Sequence, residues 1–213
     1  MNARTPDGDP RFWDGIAERY AARPIQDVAS YEHTLERTRA HIAGRERALE
    51  LGCGTGATAL RLADCVGAYT ASDASPAMLE IARGRARAEG RDDLRFVQSA
   101  LAEFAPADGL YDAVLAFSFF HLLDDLEAAV ARAAALLAPG GVMVSKTICL
   151  AEMNPVFRVI VPAMRLIGKA PRVRFVTGRQ VEAAMRAAGL EILETGTFPK
   201  SPPAHFIAAR KPA

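Results

Sequence analysis

No run of about twenty apolar residues occurs in this 213-residue sequence, so no membrane-spanning helix is expected. Cysteine is scarce. Cys53, Cys65 and Cys149 are odd in number, far apart and without metal-ligand spacing. That excludes a disulfide framework, gives no reason to expect a metal, and suits a reducing cytoplasm. Charge of one sign is also missing: 26 Lys and Arg against 25 Asp and Glu leave a formal net charge of +1. A nucleic-acid partner is therefore not expected. Residues 1–10 are polar and turn-rich, without the apolar core of a secretory signal. What is present is ordinary for a globular enzyme: 50% hydrophobic and 24% charged residues, and enough length for one domain with a sizeable core.

The most informative stretch is 48–56, Ala-Leu-Glu-Leu-Gly-Cys-Gly-Thr-Gly. An apolar run carrying one acid, Glu50, leads into Gly52, Gly54 and Gly56, and then into the helical spacing of 57–63. Strand, glycine loop and helix in that order predict a pocket for a small polar ligand at the carboxyl end of a strand. Glycine lets a ligand approach the main chain, and the helix start leaves N–H groups unpaired. A dinucleotide loop needs G-x-G-x-x-G. Here the second gap is one residue short, and Glu50 would repel a phosphate but suit an ammonium group. Cys53 reads as a small loop residue, not a nucleophile.

The rest alternates strands and helices. Helices are expected over 9–22, 27–43, 55–64, 76–89, 125–137 and 177–188. Strands are expected over 45–51, 67–72, 94–98, 111–117, 141–149, 190–197 and 204–210. Repeated strand–helix units imply a parallel sheet covered on both faces. The last two strands are joined too closely for a crossover and should run antiparallel. The expected fold is α/β, Rossmann-like and doubly wound: a mostly parallel seven-stranded sheet with an antiparallel C-terminal strand and N-terminal helices. One domain, 1–213, would comprise capping helices (1–44), a cofactor-binding core (45–150), a lid (151–175) and a C-terminal helix and strand pair (176–213).

Residues 48–56 resemble, position by position, the first motif of the class I methyltransferases that use S-adenosylmethionine. The likeness runs from about Trp13 to the C-terminus. It implies a cofactor site built from Glu50, Gly52, Cys53, Gly54 and Gly56. Residues 72–79 look like the second motif, which gives Asp73 the ribose hydroxyls and lays Ala74 and Met78 against the adenine. Capping of the next helix is the plainer role for Asp73, although Ser75 is better placed for it, and Met78 fits the core equally well. Residues 96–101 align with the adenine-reading segment, implying roles for Ser99, Ala100 and Leu101. Many relatives carry an aspartate where this chain has Ala100, so Gln98, Ser99 or main-chain groups must replace it. Residues 111–117 look like the fourth motif, which puts Phe117 and Ser118 at the methionine end of the cofactor and Phe120 beside the acceptor. His121 follows at the expected methyl site, either as a general base or as a wall residue. Phe12, Trp13 and Tyr20 resemble the aromatic lead helix that folds over the cofactor. Tyr20 suits the carboxylate or the sulfonium and is a second catalytic candidate, Trp13 suits the core, and Tyr31 suits the acceptor.

Residues 151–175 are least like the family. They mix apolar residues with Arg158, Arg165, Lys169, Arg172 and Arg174, and Pro155, Pro162 and Pro171 punctuate them. A kinked, amphipathic, basic lid is expected, with Phe157 and Met164 facing a small apolar or anionic acceptor, and with contact to a membrane surface as one use. The plainer reading is a cover whose arginines lie in water. The resemblance implies in-line methyl transfer to a small molecule in the cytoplasm, with S-adenosylhomocysteine as product and no metal. A non-catalytic cofactor-binding module and a nicotinamide-dependent oxidoreductase are the alternatives. The acceptor and the oligomeric state are not legible.

Overall fold

A computed structural model describes residues 9–213. The turn-rich segment expected over 1–10 lies mostly outside the described residues. Seven strands form one sheet: β1 (Arg45–Leu51), β2 (Val66–Asp73), β3 (Arg95–Gln98), β4 (Tyr111–Phe117), β5 (Leu137–Ile148), β6 (Glu191–Lys200) and β7 (Pro203–Arg210). Their order is β3-β2-β1-β4-β5-β7-β6. The first five pair in parallel, and β7 runs antiparallel to both β5 and β6, as the short final connection requires.

The helices are α1 (Pro10–Ala21), α2 (Val28–Ile42), α3 (Ala57–Leu62), α4 (Pro76–Ala88), α5 (Leu126–Ala135), α6 (Phe157–Leu166) and α7 (Gly178–Ala187). Strand alternation divides their packing. Leu49, Leu51, Val114, Met143 and Ile207 form one core cluster with α5 and α7, while Ala48, Ala113, Leu115, Val144 and Phe206 form another with α2, α3 and α4. The order of strands reverses direction at β1, between β2 and β4, so the carboxyl ends of β1, β2 and β4 open onto one crevice where such sheets bind ligands.

Three expectations need correction. The helix expected over 55–64 starts at Ala57 and ends in a 3₁₀ turn, Ala63–Cys65, because left-handed Gly56 delays its start. The strand expected from 141 begins at Leu137. The Pro139-Gly140-Gly141 stretch is a bulge within it, which shifts the pairing from Tyr111↔Leu137 to Ala113↔Val142. The segment 151–175, expected as a lid, contains one α-helix, α6, which has Pro162 inside it and no buried residue.

Candidate functional site

The glycine loop takes the shape its residues demand. Gly52, Gly54 and Gly56 have φ of 66°, 53° and 77°, a left-handed region costly to residues with a Cβ. A Cβ on Gly52 would lie 2.3 Å from the Phe119 ring, and one on Gly56 would lie 2.9 Å from the Ala82 Cβ. Gly56 lines neither cavity described below. It lets α3 start close against α4, a structural role in place of the cofactor contact expected of it.

The loop is anchored by β2. The Cys53 N–H donates to the Ser72 carbonyl (2.9 Å), and the Gly54 N–H donates to Asp73 Oδ2 (2.8 Å). Asp73 Oδ1 accepts from the Ser75 N–H at 2.8 Å. Backbone N–H groups thus orient both carboxylate oxygens, and each keeps lone-pair capacity for a ligand hydroxyl. The capping role falls to Ser75, whose Oγ accepts from the Met78 N–H (3.2 Å) and donates to Asp14 Oδ1 (2.6 Å). Asp14 thereby ties α1 to the start of α4, an anchoring contact that sequence reasoning missed.

Two cavities open along this edge. The smaller spans about 790 Å³ with its open mouth included and is lined by Asp73, Ala74, Met78, Ser99, Ala100 and Leu101, with Trp13 and Tyr20 contributed by α1. Asp9, the N-cap of α1, lines it too and is a carboxylate at a cavity that lacks one at Ala100. The Ser99 Oγ donates to the Ala100 carbonyl at 2.9 Å, and Gln98 is not in the lining. The larger cavity, about 1900 Å³, is lined by Glu50, Cys53, Thr55, Tyr31, Arg23, Arg85 and Lys146 among others. The two meet at Tyr20, Gly52, Gly54, Phe117 and Ser118. At that junction Ser118 takes a left-handed φ of 50°, the only such non-glycine residue among those described, and its N–H donates to the Lys146 carbonyl at 2.7 Å. A left-handed non-glycine residue at the end of a strand makes Ser118 a candidate functional position.

Glu50 is 2% exposed and accepts from the Tyr69 hydroxyl at 2.8 Å. Burial pushes its carboxyl up to about 8, the Tyr69 bond opposing the shift. The Cys53 thiol is raised well above its usual range by burial, which suits a loop residue and not a nucleophile. Met78 is 2% exposed and also lines the smaller cavity, so its core and ligand roles coincide. The Tyr20 ring packs edge-on against Trp13 at 5.8 Å. The Tyr31 hydroxyl donates to the Ala57 carbonyl at 3.4 Å.

Besides Gly56, four expected site residues are not brought to the cavities. His121 is 5% exposed and lines neither. The 3₁₀ turn Phe120–Leu122 folds it inward, and the Arg174 N–H donates to its carbonyl at 2.7 Å. Burial lowers its imidazole to about 4. Phe120 is wholly buried in the cluster under α5, while its neighbour Phe119 lines the smaller cavity. Phe157 and Met164 lie on α6 and line neither cavity. Lys146 was missed. Its signal was a lone charge in the otherwise uncharged stretch 141–149, since a lysine is seldom buried without a purpose.

The methyltransferase-domain family matches residues 48–141. The ubiquinone biosynthesis O-methyltransferase of Methylocella silvestris is 30% identical over 185 residues, which is 84% of this chain and 64% of that protein. The malonyl-[acyl-carrier protein] O-methyltransferase of Geobacter sulfurreducens is 34% identical over 157 residues, 70% of this chain and 57% of that protein. The chain therefore spans less than two thirds of the length of these curated relatives. The N-methyltransferase NodS of Bradyrhizobium japonicum, solved with S-adenosylhomocysteine, superposes with a TM-score of 0.69 at 19% identity, covering 94% of this chain and 99% of that one, and so shares its fold. Together these matches support a class I S-adenosylmethionine-dependent methyltransferase. The family match covers the glycine loop and the β4 edge, which line the junction of the two cavities, and Asp73, which lines the smaller.

The residues present fit the family's cofactor, S-adenosylmethionine. Asp73 offers two oriented oxygens for a diol, Glu50 a buried carboxyl for an ammonium, and Ala74, Met78 and Leu101 apolar walls for a flat ring. The departure is Ala100, which leaves the adenine amino group without the expected acid.

Proposed function

We propose that this methyltransferase transfers a methyl group from S-adenosylmethionine to an oxygen of a small-molecule acceptor. The observation carrying this is the left-handed glycine loop clamped by Asp73 and flanked by buried Glu50, at the point where the two cavities meet. The oxygen acceptor is supported by two relatives whose names record O-methylation. The cofactor, when bound, supplies a methyl already activated on a sulfonium. Asp73 then holds the ribose, Glu50 holds the amino group, and Trp13 and Tyr20 close the smaller cavity from α1. Phe117 and Ser118 stand at the passage between cavities and align the acceptor for displacement along one line. Alignment and exclusion of water are the protein's main contributions. His121 is given no part in this reading, because it is buried and lines neither cavity.

Calorimetry tests this reading. S-adenosylhomocysteine should bind and NAD should not, and Asp73→Ala should weaken binding by about 1.5–3 kcal/mol, the usual worth of a hydrogen bond to a charged group. Binding of NAD in preference to S-adenosylhomocysteine would reject the reading. A screen with labelled S-adenosylmethionine then reports transfer to candidate acceptors.

A further inference from the structure

The larger cavity carries an unbalanced charge. Arg23, Arg85 and Lys146 line it against one acid, Glu50. That acid is already engaged by Tyr69. The Arg85 guanidinium is also engaged, donating to the Thr55 carbonyl and hydroxyl and to the Ala21 carbonyl. Lys146 is different. Its Nζ donates to the Thr34 hydroxyl at 2.6 Å and only weakly to the Ser30 carbonyl at 3.5 Å. An ammonium has three donors, so one remains for the cavity. The nearest face of Phe198 lies 5.1 Å from Nζ at its ring centroid. Among the described residues no carboxylate lies within ion-pairing distance, and Asp27 acts on Nζ only through space. Burial lowers the Lys146 amine to about 8, the sign of a cation short of solvent and of a counter-ion. The other walls mix polar residues, Gln26, Thr34, Thr55, Thr58 and Ser118, with apolar and aromatic ones, including Tyr31, Phe117, Ile148 and Pro202.

We propose that the larger cavity is the acceptor site, and that Lys146 selects acceptors with an apolar body and an anionic oxygen. Lys146 is well placed for this. Its carbonyl fixes Ser118 at the passage, while its side chain reaches from β5 to Thr34 of α2. One residue thus shapes the passage and supplies the charge beyond it. This deepens the methyltransferase reading and rests on it. The simpler role, a tie between α2 and β5, predicts no selectivity between charged and neutral ligands.

The test uses 2-naphthoate and its uncharged counterpart 2-naphthamide, titrated into the free and the S-adenosylhomocysteine-loaded protein. The acid should bind about ten- to a hundredfold more tightly than the amide, the range expected for a hydrogen bond to a charged partner. Lys146→Met should abolish that preference while leaving S-adenosylhomocysteine affinity unchanged, and Lys146→Arg should retain it. Equal binding of acid and amide, no binding of either, or a Lys146→Met protein that keeps the preference would each overturn the proposal. If Lys146→Met does not fold, the wild-type comparison and Lys146→Arg still decide. A missing response to S-adenosylhomocysteine would count against the function reading and leave the acid–amide comparison standing.

Discussion

Glu50 shows how one buried residue can couple ligand binding to protons. Its carboxyl is raised from 4.5 to about 8, chiefly by burial. The folded protein therefore holds a proton that the unfolded chain releases above about 4.5. Between those values rising pH lowers stability, because ionising Glu50 in the fold costs more than in the open chain. A ligand ammonium reverses that preference by pairing with the ionised form. Binding of S-adenosylhomocysteine at pH 7 should then release up to about one proton. Calorimetry in two buffers of different ionisation heat measures it directly. Glu50→Gln should remove the buffer dependence, weaken binding, and leave stability less sensitive to pH between 5 and 8. Heats that do not depend on the buffer would mean that Glu50 is not the ammonium partner.

At the scale of elements, α2 brings Tyr31, Thr34 and Leu35 to the larger cavity, and a three-way contact fixes its far half. Arg37 Nε and Nη2 donate to the two Glu194 oxygens at 2.7 Å each, and His41 Nε2 lies 2.7 Å from Oε2. The Arg37 bonds foremost hold the Glu194 carboxyl down at about 2. A depressed carboxylate contributes stability above its unfolded value, and that contribution is lost as pH falls below about 4.5 toward 2. Amides of α2 should therefore lose hydrogen-exchange protection near pH 3–4 before those of β1 and β4. Glu194→Gln should show the same loss at pH 7. Unchanged α2 protection in that variant would make the contact a surface pair of little consequence.

The same scale shows what the sequence could disclose. The ranges of β1 and β4 were legible to the residue, because doubly covered strands are bounded by turn-forming neighbours. Asp73 at the end of β2 was also placed by the sequence, since Ser75-Pro76 just beyond it starts the next helix. The segment after β4 was not. Phe119, Phe120 and His121 are all compatible with a cavity wall, and only the 3₁₀ turn decides that Phe119 faces the cavity while the next two are buried. Lys146 was also hidden, since its partner Thr34 lies 112 positions away. Contacts made by distant segments leave little trace in local spacing.

Over the whole molecule, the two cavities adjoin one another, while α6 lines neither. On α6 and its flanks Val159 is 71% exposed, Leu166 90% and Ile167 65%. Among the described residues no helix is long and apolar enough to cross a membrane. We expect α6 to contribute little to the stability of the isolated chain, because surface substitutions away from packed features usually change it by within about 0.5 kcal/mol. Replacing Val159 and Leu166 together by serine should leave the denaturation midpoint and S-adenosylhomocysteine affinity unchanged. Truncating Phe157 or Met164 should likewise spare cofactor binding, since neither lines a cavity. It should lower turnover only for acceptors long enough to extend from the larger cavity to α6. A clear fall in the midpoint would show that α6 packs on the sheet. Equal losses for short and long acceptors would show that the helix acts on the site itself, and that the lid is part of the catalytic apparatus.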